Sequence, residues 1–86
     1  MSDAQVIWDL EDDLDGNVQH IAQHGVTMDE VEQVLLNSSN YTGVSNSTGY
    51  PITIGYTEAN RKLLVVWEHI DDNPLVARPI TAYDID

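Results

Sequence analysis

The hydrophobic pattern is organised around Leu63-Leu64-Val65-Val66-Trp67-Glu68-His69-Ile70, the longest apolar run in the chain. Its length, its β-branched residues and its polar flanks predict a central strand buried on both faces. Alternation puts Leu63, Val65, Trp67 and His69 on one side, and Leu64, Val66, Glu68 and Ile70 on the other. Helices can cover only one side, so the other is expected to meet a partner or a second copy, or to form a concave site.

The remaining periodicities place elements around this strand. Val6-Ile7-Trp8 predicts a short first edge strand. Leu10, Leu14, Val18 and Ile21 share one face of a helix ending at Gln23, although Gly16 argues against its continuity. His24-Gly25 predicts its end, with Gly25 in the left-handed conformation. Thr27 with Glu30 is a capping-box pattern, and Met28, Val31, Val34 and Leu35 form the apolar face of a second helix that Asn37-Ser38-Ser39-Asn40 closes. From Tyr41 the period becomes two. Tyr41 to Val44 reads as a strand, and Asn46-Ser47-Thr48-Gly49 as a turn. Pro51 to Thr57 reads as a strand with Ile52, Ile54 and Tyr56 on one side and Thr53, Gly55 and Thr57 on the other. Glu58 to Arg61 and Asp71 to Pro74 are turns on either side of the central strand. Leu75 to Ala82 is a last strand, in which Pro79 marks an edge or a bulge. The expected class is α+β, with two N-terminal helices packed on one face of a four- to five-stranded antiparallel sheet.

Composition narrows the functional classes. A chain of 86 residues is one domain with a marginal core. It has no Cys, which removes disulfides, thiol nucleophiles and cysteine metal sites and fits a reducing compartment. No signal-peptide pattern and no membrane-length apolar segment is present, so a soluble cytoplasmic protein without a membrane partner is expected. Fifteen acidic residues stand against Arg61, Lys62 and Arg78, giving a net charge of −12. Such a charge repels nucleic acid and favours basic partners, or serves solubility alone.

Several segments resemble a known family. Trp8-Asp9, Asn17 and His24-Gly25-Val26-Thr27, with Glu30-Val31 inside a helix, resemble the opening of the BrnT family. Gly55-Tyr56-Thr57 followed by Arg61-Lys62-Leu63-Leu64-Val65-Val66 resembles its central hairpin, and Arg78-Pro79-Ile80-Thr81-Ala82 its last strand. The likeness extends over nearly the whole chain, so residues 1–86 read as a single BrnT-like domain. It implies a RelE/ParE-like fold and the toxin component of a type II toxin–antitoxin pair. Such a toxin is a metal-independent endoribonuclease that arrests translation, needs no cofactor, acts on mRNA or at the ribosome, and is neutralised by an antitoxin protein. The chain departs from the pattern in its cations. Family members are rich in Lys and Arg, whereas here Tyr83 stands where an Arg follows the last strand. Asp71 and Asp72 occupy a turn that is commonly basic, and Glu11 to Asp15 replace basic residues of the first helix.

Metal-independent RNA cleavage needs a base, an acid and cations that stabilise the phosphorane. The chain offers Arg61 and Arg78 as phosphate clamps, and His69 and Tyr83 as proton-transfer groups. Trp67, Lys62 and Tyr56 are candidates to bind substrate, Trp67 by stacking on a base. Each has a structural reading beside it: Arg61 and Lys62 follow a turn, Arg78 neutralises a carboxylate, His24 completes a helix end and Trp67 fills a core or an interface. Glu11-x-Asp13-x-Asp15-Gly16 resembles half of a calcium loop but has Ala22 where a bidentate Glu belongs. His20 and His24 have zinc-ligand spacing without a third ligand nearby, and no metal site is expected. The competing class is a non-catalytic acidic interaction module on the same fold that binds a basic protein partner. A homodimer stays open in either case.

Overall fold

The computed structural model describes residues 4–37, 41–72 and 74–85. The chain runs β1 (Gln5–Val6), α1 (Asn17–Gln23), α2 (Met28–Leu35), β2 (Tyr41–Val44), β3 (Pro51–Tyr56), β4 (Lys62–Asp72) and β5 (Leu75–Asp84). The strands form one sheet in the order β1-β5-β4-β3-β2, which puts β4 at its centre as the apolar run predicts. β2 to β5 are antiparallel neighbours, but β1 lies parallel to β5. The expected antiparallel sheet is therefore a mixed one. The two helices between β1 and the meander return the chain to the far side of the sheet, which allows the parallel pairing at the β5 edge.

Both helices cover the same face. Ile21, Val26, Val31 and Val34 pack with Leu63, Val65 and Trp67 of β4 and Ala77 and Ala82 of β5. The opposite face of β4 is not buried as expected: Leu64, Val66 and Glu68 are half-exposed, on the side away from the core that the helices cover. Cross-strand pairs Ile52–Val66, Ile54–Leu64, Tyr56–Lys62 and Leu64–Tyr83 extend this uncovered face across three strands. On β3 the buried side is the small, polar one, Thr53, Gly55 and Thr57. The Trp67 indole explains why: its N–H donates to Thr53 Oγ1 at 3.0 Å, so a short hydroxylated side chain fits under it.

The first helix is shorter than its apolar spacing suggests. It begins at Asn17, and the acidic run before it is a pair of turns with Leu10 and Leu14 exposed at 76% and 79%. Two features stop the helix from extending backwards. Gly16 is packed so tightly that a Cβ there would lie 2.8 Å from Asp9 Cβ. Asp9 Oδ2 also accepts the Asn17 N–H at 2.9 Å, capping the helix from eight residues upstream. The helix ends as predicted. Gly25 has φ 73°, its N–H donates to Ala22 O, and the Val26 N–H donates to Ile21 O, a Schellman closure. The capping box on α2 is present in full, with Thr27 Oγ1 accepting from the Glu30 N–H and Glu30 Oε1 accepting from the Thr27 N–H. Of the predicted closing segment, residues 38–40 lie outside the described residues.

Pro79 marks a bulge. The β4–β5 register shifts between Val66 and Trp67, leaving Ile80 as the extra residue, and Pro79 is buried opposite Trp67. The turn after β4 is tighter than the sequence suggests, because the strands run on to Asp72 and resume at Leu75. Among the described residues no helix is long and apolar enough to cross a membrane.

Candidate functional site

The residues that the sequence nominates fall into separate places. Arg61 immediately precedes β4 and His69 lies near the strand's other end, roughly 25 Å apart at the rise of an extended strand, so they do not share one site. Arg61 follows a turn in which Asn60 takes φ 64° and the Thr57 N–H donates to Arg61 O. Its guanidinium donates to both carboxylate oxygens of Glu30 at 2.9 Å and pairs with Asp84 at 2.8 Å. Hydrogen bonding to Glu30 first, and to Asp84 second, raises its pKa above an already alkaline value. His69 Nε2 lies 2.8 Å from Asp72 Oδ1 on an exposed strand end. Trp67 is 7% exposed, with its ring against the core and its N–H on Thr53, so the face expected to work on substrate is the one the helices cover. Tyr56 and Lys62 are cross-strand partners on the uncovered face, with Tyr83 one pair further along.

Arg78 belongs to a network built on Asn17. Asn17 is 4% exposed. Its side-chain N–H groups donate to Ile7 O at 3.1 Å and Pro79 O at 3.0 Å, and its Oδ1 accepts the Asp9 N–H at 2.9 Å. Asp9 Oδ2, which caps α1, also receives Arg78 at 2.9 Å. One amide thus joins β1, α1 and β5, and a carboxylate shared between a helix start and an arginine completes the join. Trp8 is fastened separately, its N–H donating to Glu32 Oε2 at 2.8 Å.

Beside this network a cleft of about 230 Å³ opens along the β5 edge, lined by Asp15, Gly16, Asn17, His20, Arg78, Pro79 and Ile80. The edge is free here because β1 pairs only with the beginning of β5. Helix α1 runs alongside, which places His20 by Arg78 and His24 by Tyr83. The His20 and His24 rings are 5.5 Å apart edge-to-face, and those of His24 and Tyr83 are 6.0 Å apart. Two imidazoles, a phenol and a guanidinium in a row comprise a base, an acid and a cation. The row includes Arg78 and Tyr83 from the sequence-derived set and adds His20 and His24. The signal for the pair was their four-residue spacing, which fits a shared helix face as well as it fits metal ligands. Asp15 and Asp9 set negative charge beside the row.

Among the described residues no group of three or more His, Asp or Glu is placed to hold a metal ion. In the acidic turns Asp13 Oδ1 accepts the Asp15 N–H at 3.0 Å, and Asp13 O accepts the Gly16 N–H. Comparison with family models, curated proteins and solved structures finds no match. The class is thus set by the architecture alone: a small α+β protein with two helices on one face of a mixed five-stranded sheet.

Proposed function

We propose that this protein is a BrnT-like toxin component of a type II toxin–antitoxin pair, with a RelE/ParE-like arrangement of its helices and sheet. The observation that carries the reading is the meeting of residues scattered through the resemblance. Asp9, Asn17 and Arg78 form one hydrogen-bonded network, and Glu30 meets Arg61. RNA would be handled along the β5 edge, where His20, His24 and Tyr83 supply proton-transfer groups and Arg78 supplies the cation. The uncovered apolar face, in a protein of net charge −12, suits a cationic antitoxin.

The test is inducible expression with growth and RNA integrity as readouts, using wild type and the His20→Ala/His24→Ala double variant. Growth arrest with RNA cleavage in a translation extract is expected for wild type, and loss of cleavage at unchanged folding for the variant. Absence of both arrest and cleavage in wild type sinks the toxin reading.

A second reading has its own observation. Both arginines are already paired with carboxylates, Arg61 with Glu30 and Asp84 and Arg78 with Asp9. Such cations are poor phosphate clamps, which favours a non-catalytic acidic module that binds a basic protein. Under this reading the double histidine variant keeps the full biological effect, while neutralising Glu11, Asp12 and Asp13 weakens partner capture.

A further inference from the structure

We infer that the free edge of β2 is a homodimerisation site, at which two copies join their sheets by antiparallel pairing of β2 with β2 about Gly43. The inference is independent of the toxin reading. Among the described residues β2 has only β3 as a hydrogen-bonded neighbour, so its outer edge offers unpaired backbone groups.

The hairpin register identifies those groups. The Ser45 N–H donates to Tyr50 O, and Val44 then pairs with Pro51, Gly43 with Ile52 and Thr42 with Thr53. Antiparallel ladders alternate between hydrogen-bonded and non-hydrogen-bonded pairs. Ser45 turns both its backbone groups inward, its N–H donating to Tyr50 O and its C=O accepting from the Gly49 N–H, so Gly43–Ile52 is the next bonded pair and Val44–Pro51 is not, which suits a proline without an N–H. Thr42 and Val44 therefore turn their N–H and C=O groups outward. A second copy related by a two-fold axis at Gly43 sets Thr42 against Val44 of its twin, a pair that exchanges both backbone bonds. Two β-branched side chains then stand side by side, which suits a strand pair. Gly43 faces Gly43 across the axis, with no side chain to obstruct the close approach of a non-bonded pair.

Charge selects the occupant. The chain carries −12, yet between Glu32 and Glu58 there is no Asp, Glu, Lys, Arg or His. This neutral stretch includes all of β2 and β3. Natural sheet edges are commonly guarded by charged side chains, and this one has none, while Val44 is 65% exposed. A basic partner finds no anion here to recognise. A second copy repels at the acidic surfaces and can approach closely at this neutral edge. The opposite edge differs: β1 spans Gln5–Val6 only and leads into the acidic turns.

The test is sedimentation velocity over a protein concentration series at low and high salt, on the full chain. Dimerisation that tightens with salt is expected, because screening removes the repulsion between two acidic bodies. Thr42→Pro removes an outward N–H that the fold does not use, and Val44→Glu places charge on the edge. Each should weaken the dimer about tenfold or more while leaving the circular dichroism of the monomer unchanged; the monomer Tm stays unchanged for Val44→Glu and falls for Thr42→Pro, which also loses the Thr42 Oγ1–Thr53 Oγ1 hydrogen bond of 3.2 Å. A third variant locates the axis. The chain has no Cys, so Gly43→Cys should give a covalent dimer on mild oxidation, much faster than Ser47→Cys at the hairpin tip. A monomer at all concentrations and salts overturns the proposal. So does a dimer insensitive to Thr42→Pro and Val44→Glu, or equal cross-linking at the two introduced thiols.

Discussion

Gly16 shows how much a single position decides. Its φ of −83° suits any residue, so the glycine is not there for backbone freedom. It is there because Asp9 and Asp13 occupy the space a Cβ would need, at 2.8 and 3.1 Å. Gly16→Ala must push Asp9 away from both the Asn17 N–H and Arg78. The expected cost is about 1–3 kcal/mol, read as a lower urea midpoint at constant slope; an unchanged midpoint would show that the Asp9 segment yields without loss. Asn17→Ala should cost about 2–4 kcal/mol, because it leaves buried Pro79 O without its partner and removes three contacts at once. Sequence pattern marked both positions without their reasons. The sequence leaves Arg78 open between a phosphate clamp and a cation that neutralises a carboxylate; it does pair with a carboxylate, but that partner lies 69 residues away, and no local rule connects Asp9 to it.

At the scale of elements, features set by local rules were legible and features set by distant neighbours were not. The Schellman closure at Gly25 and the capping box at Thr27 are fixed by residues within five positions of each other, and both form as the sequence indicates. The start of α1 depends on Asp9 and on packing against Gly16, so the apolar spacing of Leu10 and Leu14 misled. Alternation on β3 was visible, but nothing in it said that the smaller side would be buried under Trp67. Glu30 joins the two kinds of information, as the cap of α2 and the partner of Arg61. Glu30→Ala should therefore cost more than Arg61→Ala, by up to about 1 kcal/mol for the lost cap, less the small contribution of the exposed Arg61–Asp84 pair that only Arg61→Ala removes. The double-mutant coupling itself should be only about 0.5–1 kcal/mol, because the pair is partly exposed. Equal single-variant costs in thermal unfolding would mean that the cap contributes no more than the Arg61–Asp84 pair, which Arg61→Ala also removes. The raised Arg61 pKa leaves this contribution fully present below the ordinary arginine value and lost only as pH rises through the raised one, beyond neutral working conditions.

For the whole molecule the sign of the salt response decides which electrostatic effect dominates. Added salt weakens part-exposed ion pairs, which among the described residues are Arg61–Glu30, Arg61–Asp84 and Arg78–Asp9. It also weakens the mutual repulsion of a chain whose fifteen acids face three basic residues. Exposed pairs contribute roughly 0–1 kcal/mol each, and a structural cation can neutralise only its immediate neighbours. Folding confines this net charge of −12 to a body of 32 × 28 × 27 Å, whereas the unfolded chain spreads it over a larger volume. Repulsion therefore outweighs pairing, and Tm should rise as NaCl increases from low ionic strength to about 0.5 M, where the Debye length falls to a few ångströms. A falling Tm would mean that the ion pairs dominate after all. Dimerisation at the β2 edge also grows with salt, and protein concentration separates the two effects. Relief of self-repulsion raises Tm equally at every concentration, whereas assembly makes Tm climb with concentration by mass action.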